Sequence, residues 1–409
     1  MMKKVAQEIP KKAKPLEPTF KLKEFDKEMI VASYFGFTPI ISPEVTDKDI
    51  TTQKTVKDPY YNLGYIEKEK PFAADIVEKI ALIRAYQEWG LNHEPHPLLI
   101  TYHKPIQKGA RKKPGESSLG LEIIGLQSSS AEALLIRTCL SILQDEGYTN
   151  LSIRLNSLGD KESINDYERM ISGYVRKNIN AMTPELRKLV KQDIFEVIRT
   201  KDPKCEHIHN DAPKSMSFLS ESARIHFKEV LEYVESFDIP YTIRTTLINS
   251  PSFCSQTQFE IISENEKGEE TILASGFCYS RLTKKLGMKR ELPSFGATLC
   301  FKKKNTGTIV KTFSKPRFYL IQLGFQGKMK SLHVIDILRK AKIPVTHALA
   351  KDKLQSQLGS AENTRVTHVL IIGQKEAIEN SVTVRDMNTR VQETVPISGL
   401  ISYLKGLKS

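Results

Sequence analysis

The sequence predicts an α+β chain with a large core that carries a helical insertion, followed by a smaller α/β domain. Three observations point there. Strand-like patterns occur before residue 160 and return from Ile239 to Phe301, the stretch from Ser163 to Phe237 has mostly helical spacing, and beyond Lys315 short strands and helices alternate.

Residues 1–24 are rich in lysine and proline and poor in strong apolar positions. Such a segment cannot bury enough surface to offset its ordering entropy, so a flexible basic tail is expected. Helical periodicity begins near Glu24, and Asp26–Tyr34 runs into Gly36-Phe37-Thr38-Pro39-Ile40, a helix stop followed by a short strand. A second helix is expected over about Ala73–Glu88, then a strand over Leu98–Tyr102 and a polar, basic loop over Gln107–Ser118. Ser128-Ser129-Ser130 precedes a capped helix over Ala131–Glu146, with Leu135, Cys139, Ile142 and Leu143 on one face and Gly147 as terminator. Leu151, Ile153 and Leu155 alternate as in a half-buried strand, closed by Asn156–Asp160. The insertion, about 163–237, is interrupted at Lys201-Asp202-Pro203 and at Asn210–Pro213. Beyond a linker around Lys311–Lys315 come strand Phe318–Leu323, helix Met329–Ala341, strand Val345–Ala348, helix Asp352–Ala361 and strand Val366–Gly373. Strands Ser381–Asp386 and Glu393–Pro396 and a helix over Leu400–Leu407 complete the pattern. The expected division is a tail over 1–24, a core over 25–310 and an α/β domain over 316–409.

Composition bounds the function. The chain has 409 residues, 40% hydrophobic and 27% charged, an ordinary globular profile with ample core. No apolar run approaches the roughly 18 residues that would span a bilayer, and the lysines near the start precede no apolar stretch. Five scattered cysteines make no disulfide framework and fit a reducing compartment, so a cytoplasmic protein with free thiols is expected. The formal charge of +13 favours a polyanionic partner, with nucleic acid first and a solvated basic surface as the plain alternative.

Several strings, in order, resemble signatures of the histidyl-tRNA synthetase family, a class II aminoacyl-tRNA synthetase. They include Tyr34–Pro43, Ile83–Gly90, Leu121-Glu122-Ile123-Ile124-Gly125 and Leu155-Asn156-Ser157-Leu158-Gly159-Asp160. Ile239–Phe253, Pro293–Lys303, Val382–Asp386 and Glu393–Pro396 continue the series. The resemblance implies a class II antiparallel sheet core, a helical insertion, a C-terminal anticodon-binding-like domain and a homodimer.

The same resemblance places the family's active-site residues onto altered positions. Where the family reads Phe-Arg-x-Glu, with an arginine on the ATP α-phosphate, the matching run is His103-Lys104-Pro105-Ile106; Lys104 keeps the charge without the bidentate fork. Lys302-Lys303 stand where the family has Glu-Arg beside ATP, and Asn249 stands at the histidine-specific arginine. Ser252 and Phe253 replace the aspartate and tyrosine that follow. Ser275-Gly276-Phe277-Cys278-Tyr279-Ser280 replaces Gly-Gly-Gly-Arg-Tyr-Asp, keeping Gly276 and Tyr279 of the implied substrate pocket, and Ser118 stands at a substrate-binding glutamine or glutamate. Arg-Pro-Glu-Gly-Thr becomes roughly Asp75–Lys79, with Glu67, Glu69 and Glu78 as possible sources of the missing acidic contact. Removing one preorganised donor to developing charge costs about 2.7–4 kcal/mol, so three lost forks cost roughly 8–12 kcal/mol if additive. Histidine activation is therefore expected to be weak or absent.

The expected function is that of a histidyl-tRNA synthetase-like paralogue that binds tRNA or another RNA or acts in regulation. One alternative is an authentic divergent histidine–tRNA ligase using ATP and Mg²⁺; another is a regulatory subunit-like protein of histidine biosynthesis. Lys108, Arg111, Lys112 and Lys113, with Lys104, form a basic strip for RNA phosphates, or a solvated loop. No membrane or DNA partner is expected. Cys205, His207 and His209 alternate but read as a polar loop rather than a metal site, and Cys254, Cys278 and Cys300 read as buried small hydrophobes. His103, His226 and His333 read as ordinary polar residues, and Phe227, Val230, Leu231 and Val234 as core.

Overall fold

A computed structural model describes residues 24–56, 76–104, 115–200, 202–303, 315–348 and 350–407. The expected basic tail and the basic strip Lys108, Arg111, Lys112 and Lys113 lie outside these residues, as do Glu67 and Glu69.

The chain begins with α1 (Lys27–Tyr34), β1 (Thr38–Pro39), α2 (Asp47–Thr55) and α3 (Val77–Glu88), then β2 (Leu98–His103) and β3 (Glu116–Ile124). Helix α2 has no apolar stripe and was not foreseen; β3 begins at Glu116, inside the stretch expected to be loop. Helix α4 (Ser129–Asp145) starts where the Ser128 hydroxyl accepts from the Ala131 N–H, and its residues 129–143 are all buried, so it is a core helix rather than a one-faced one. Strand β4 (Leu151–Ser157) leads to the helical insertion: α5 (Lys161–Asn178), α6 (Pro184–Gln192), α7 (Glu196–Arg199), α8 (Glu206–Asp211) and α9 (Glu221–Glu235). Asp160 joins its two ends, because one carboxylate oxygen accepts from the Ser163 N–H at the start of α5 and the other from the Ser220 hydroxyl that caps α9. Cys205 and His209 sit on short helical turns here, not on a loop, because Asp202 caps a turn that Pro203 starts.

Strands β5 (Tyr241–Ile243), β6 (Ser255–Glu264), β7 (Glu270–Cys278) and β8 (Ser294–Lys302), with α10 (Ser280–Lys285) between the last two, complete an eight-stranded sheet of order β1-β2-β3-β8-β7-β6-β4-β5. Its central pairs are antiparallel, and only the edge pairs β1 with β2 and β4 with β5 run parallel. Successive side chains on a strand point to opposite faces. One face carries Leu119, Leu121, Ile123, Phe259, Ala297 and Leu299, all buried in the core that holds α4 and α9. The opposite face brings Glu122, Gly296, Phe277, Gln258 and Asn156 into one row across five strands, with Gly120, Thr298, Ser275, Glu260 and Arg154 in the next.

Strands β9 (Phe318–Gln322), β10 (Val345–His347), β11 (His368–Ile372), β12 (Ser381–Asp386) and β13 (Gln392–Pro396) form a second sheet of order β10-β9-β11-β12-β13. Helices α11 (Gly324–Lys340), α12 (Leu354–Thr364), α13 (Gln374–Glu379) and α14 (Ile397–Gly406) surround it. Helix α11 starts at Gly324, five residues before the expected Met329, and α13 is too short to give a periodic signal. The two sheets are tied through α4 and α11. Asp336 accepts from Arg137 at 2.7 Å and from the Ser141 hydroxyl at 3.1 Å, while Arg339 donates to Asp145 at 2.6 Å. Burial alone would raise the Asp336 carboxyl; the neighbouring Arg137, Lys340 and Arg339 outweigh it and hold the group well below the usual carboxylate range.

Candidate functional site

The polar face of the large sheet becomes a closed site because the first turn of α3 lies over it and contributes Glu78 and Lys79. Glu122 and Tyr279 are 0% exposed and Lys79 is 2% exposed. The Lys79 ammonium is ion-paired with Glu122 Oε1, lies 3.7 Å from Glu78 Oε1, and stands 5.7 Å from the centre of the Tyr279 ring. The Tyr102 hydroxyl donates to Glu122 Oε1 at 2.8 Å and lies 3.0 Å from Glu78 Oε1, and the Tyr279 hydroxyl donates to Glu122 Oε2 at 2.8 Å. Thr298 Oγ1 is 3.1 Å from Glu78 Oε2, and the half-buried Lys104 ammonium is 3.7 Å from the same oxygen.

Two glycines make room for this cluster. A Cβ on Gly296 would fall 1.7 Å from Glu122 Oε2, and one on Gly120 would fall 2.5 Å from the Tyr102 ring. Only a missing side chain lets a carboxylate and a phenol lie flat against the adjacent strand.

Two carboxylates face two ammonium groups, so the cluster is close to neutral inside a low-dielectric interior. Burial works against the Lys79 charge, but Glu122 and Glu78 outweigh it and raise the ammonium above its ordinary range. Burial, reinforced by Glu122, pushes both Tyr102 and Tyr279 upward, which keeps them neutral donors. Such a site binds an ammonium group and orients it with two phenols. Here the chain's own Lys79 fills that role.

The sequence-derived positions fall in several places. Tyr279 is in the cluster, Gly276 lies against Phe259 and the Gly296 carbonyl, and the Ser275 hydroxyl reaches the Phe259 carbonyl at 3.4 Å. Asn249 is buried on the same side, its backbone N–H donating to Gln258 Oε1 at 2.7 Å, while its own Nδ2 and Gln258 Nε2 have no partner among the described residues. Ser118 bonds Cys300 Sγ at 3.0 Å, further along the strands. Ser252 donates to the Val56 carbonyl and Phe253 packs on Phe277, so neither reaches the Glu78–Glu122 cluster. Lys303 is held by Glu28 at 2.7 Å and Asp26 at 3.0 Å, and Asp26 also meets His103 at 3.2 Å. Cys254 and Cys278 are buried near each other, whereas Cys300 is on the Ser118 side; among the described residues no His, Cys, Asp or Glu group has a metal-binding arrangement. Sequence reasoning missed Lys79, Tyr102, Glu122 and Thr298 as members of one site. The signals were a charge inside each apolar run: Lys79 among Val77, Ile80 and Ala81, and Glu122 between Leu121 and Ile123.

Comparison with known proteins fits this geometry. A family model described as an anticodon binding domain matches residues 319–407. A histidine–tRNA ligase of Latilactobacillus sakei is 25% identical over 345 residues, spanning 80% of this chain and 78% of that protein. A histidine–tRNA ligase of Vesicomyosocius okutanii is 26% identical over 310 residues, 74% of this chain and 72% of the relative. Over most of its length the chain is thus similar to histidine–tRNA ligases. Apo histidyl-tRNA synthetase of S. aureus shares its fold, with a TM-score of 0.51 at 19% identity over 98% of this chain and 100% of that one. The large antiparallel sheet and the C-terminal sheet are thus the two parts of a class II histidyl-tRNA synthetase fold. Among the described residues no helix is long and apolar enough to cross a membrane.

Proposed function

We propose that this chain is a histidyl-tRNA synthetase-like protein that binds tRNA or another RNA or acts in regulation, and does not activate histidine efficiently. The observation that carries this is the Lys79 ammonium buried against Glu122 and Glu78, with Tyr102 and Tyr279 completing the Glu122 shell. A substrate ammonium entering there has to displace a charge that is already paired and hydrogen-bonded, and an unpaired buried ion costs several kcal/mol. Lys303, which stands where the family has an ATP arginine, is already neutralised by Asp26 and Glu28. The anticodon-binding-domain match and the net charge of +13 support an RNA partner. We further propose a cytoplasmic homodimer with a core over 25–310 and an α/β domain over 316–409, and Lys108, Arg111, Lys112 and Lys113 as RNA contacts.

A divergent ligase is the second reading, favoured by Lys104 at the edge of the cluster and by the intact pair of carboxylates. In it ATP is a substrate and Mg²⁺ its accompanying cofactor, and Lys79 has to leave Glu122 before the amino acid enters. Histidine-dependent ATP–pyrophosphate exchange with the purified chain separates the two. Exchange at the level of a blank is expected; exchange well above it removes the first reading and establishes the second.

A further inference from the structure

A hollow of about 420 Å³ lies between the two sheets, away from the buried carboxylates. Strands β1 and β10 are each the outermost of their sheet, and the lining comes from both sides: Thr38 of β1 and the start of β2 on one, His347 of β10 and the residues after it on the other. Pro95 and Pro97, just before β2, have no N–H to bond across the gap, so the backbone leaves it open. With Leu98, Leu99 and Ala348 they make the wall largely apolar.

Two imidazoles stand in this wall, and both are fixed. The His96 ring lies against Gly125, where a Cβ would fall 2.3 Å from its Cδ2. Its Nδ1 meets the Glu94 carbonyl at 2.8 Å and its Nε2 the Tyr86 hydroxyl at 3.0 Å, so neither nitrogen is spare. His347 comes close to Gly36, and its Nε2–H donates to the Phe35 carbonyl at 3.2 Å. A carbonyl only accepts, so the proton is on Nε2, and burial keeps the ring neutral by lowering its pKa. The His347 Nδ1 is then a bare acceptor, buried and without a partner among the described residues. Such an atom is unfavourable until a donor reaches it.

The rim carries one charge of each sign. Glu94 is exposed on the core side and Lys351 on the other, and among the described residues neither side chain is in an ion pair; the Lys351 ammonium donates to the neutral Ser360 hydroxyl. A molecule with an ammonium and a carboxylate on one carbon answers both charges, a flat apolar ring answers the wall, and a ring N–H answers Nδ1. The volume lies within the range of roughly 300–1,000 Å³ typical of small-ligand sites, which favour the junctions between domains.

We propose that this hollow binds a free aromatic amino acid of the indole type, its ring against the prolines with the N–H toward His347, its ammonium at Glu94 and its carboxylate at Lys351. The site is separate from the Glu122 cluster and does not depend on the RNA-binding reading. The test titrates the full chain with L-tryptophan by calorimetry, with L-histidine as the control whose small polar ring leaves the apolar wall unfilled. Tryptophan is expected to bind, and histidine not to bind over the same concentrations. E94Q/K351M, which alters two exposed side chains, should weaken tryptophan binding by tenfold or more. H347F, which keeps a ring and removes the acceptor, should weaken it by a smaller factor; if that variant fails to fold, the surface pair still decides. Tryptophan binding that is unchanged in E94Q/K351M places the ligand elsewhere and overturns this site, as does an absence of binding by the wild-type chain. Histidine binding as tight as that of tryptophan overturns the assignment of the ring.

Discussion

Lys79 decides how the site behaves because its ammonium is the buried cation that directly pairs Glu122. Lys79→Met keeps the length of the side chain and removes the charge, leaving Glu122 and Glu78 buried at 0% and 2% exposure with too little compensation. Breaking a buried pair from one side costs about 3–5 kcal/mol, and urea denaturation should report a loss of that size. Adding Glu122→Gln should recover much of it, since the orphaned carboxylate is then gone; no recovery would mean that the two side chains do not act as a pair. His226 gives a second expectation. The Glu132 carboxylate 3.0 Å away raises its pKa above 6.5 against the opposing effect of burial. A raised cationic pKa stabilises the fold fully below the unfolded value of about 6.5 and ceases to do so as pH rises through the folded one. Stability measured from about pH 6.5 upward should fall in the wild type, and His226→Gln should flatten that part of the curve.

At the scale of elements, α4 and α11 hold the two sheets together through Asp336. Asp336→Asn leaves Arg137 and Arg339 facing a neutral amide in a buried contact. The expected result is a loss of about 3–5 kcal/mol and, on limited proteolysis, earlier release of the C-terminal sheet from the core. An unchanged cleavage order would show that apolar packing alone fixes the two parts. The elements also show what can be read from a sequence. Alternation at Leu151, Ile153 and Leu155 and the cap at Ser128 announced β4 and α4, because a strand period and a capping hydroxyl are local. Helix α2 was not legible, since its polar residues Asp47, Lys48, Asp49 and Gln53 lack a continuous apolar face. The depth at which Glu122 lies was hidden for another reason. Its partners come from α3, β2 and the residue after β7, and a contact among positions 79, 102, 122 and 279 leaves no periodic trace.

At the scale of the molecule, the ordered family strings gave the fold nearly whole, whereas the chemistry depended on residues that no string singled out. Tyr279, expected in a substrate pocket because it survives within a recognisable segment, lies in the buried Glu122 cluster; Ser252 and Phe253, expected there by the same argument, turn their side chains to Val56 and Phe277. Position in a motif fixes where the backbone goes, and the direction of a side chain is settled by what it can touch. The buried cluster has a last consequence. A protein that needs a small molecule to complete its interior becomes steadier as that molecule accumulates, because binding to the folded state alone shifts the folding equilibrium. Here the ammonium for Glu122 is supplied from within the polypeptide itself, so added histidine is expected to leave the melting temperature of this chain unchanged.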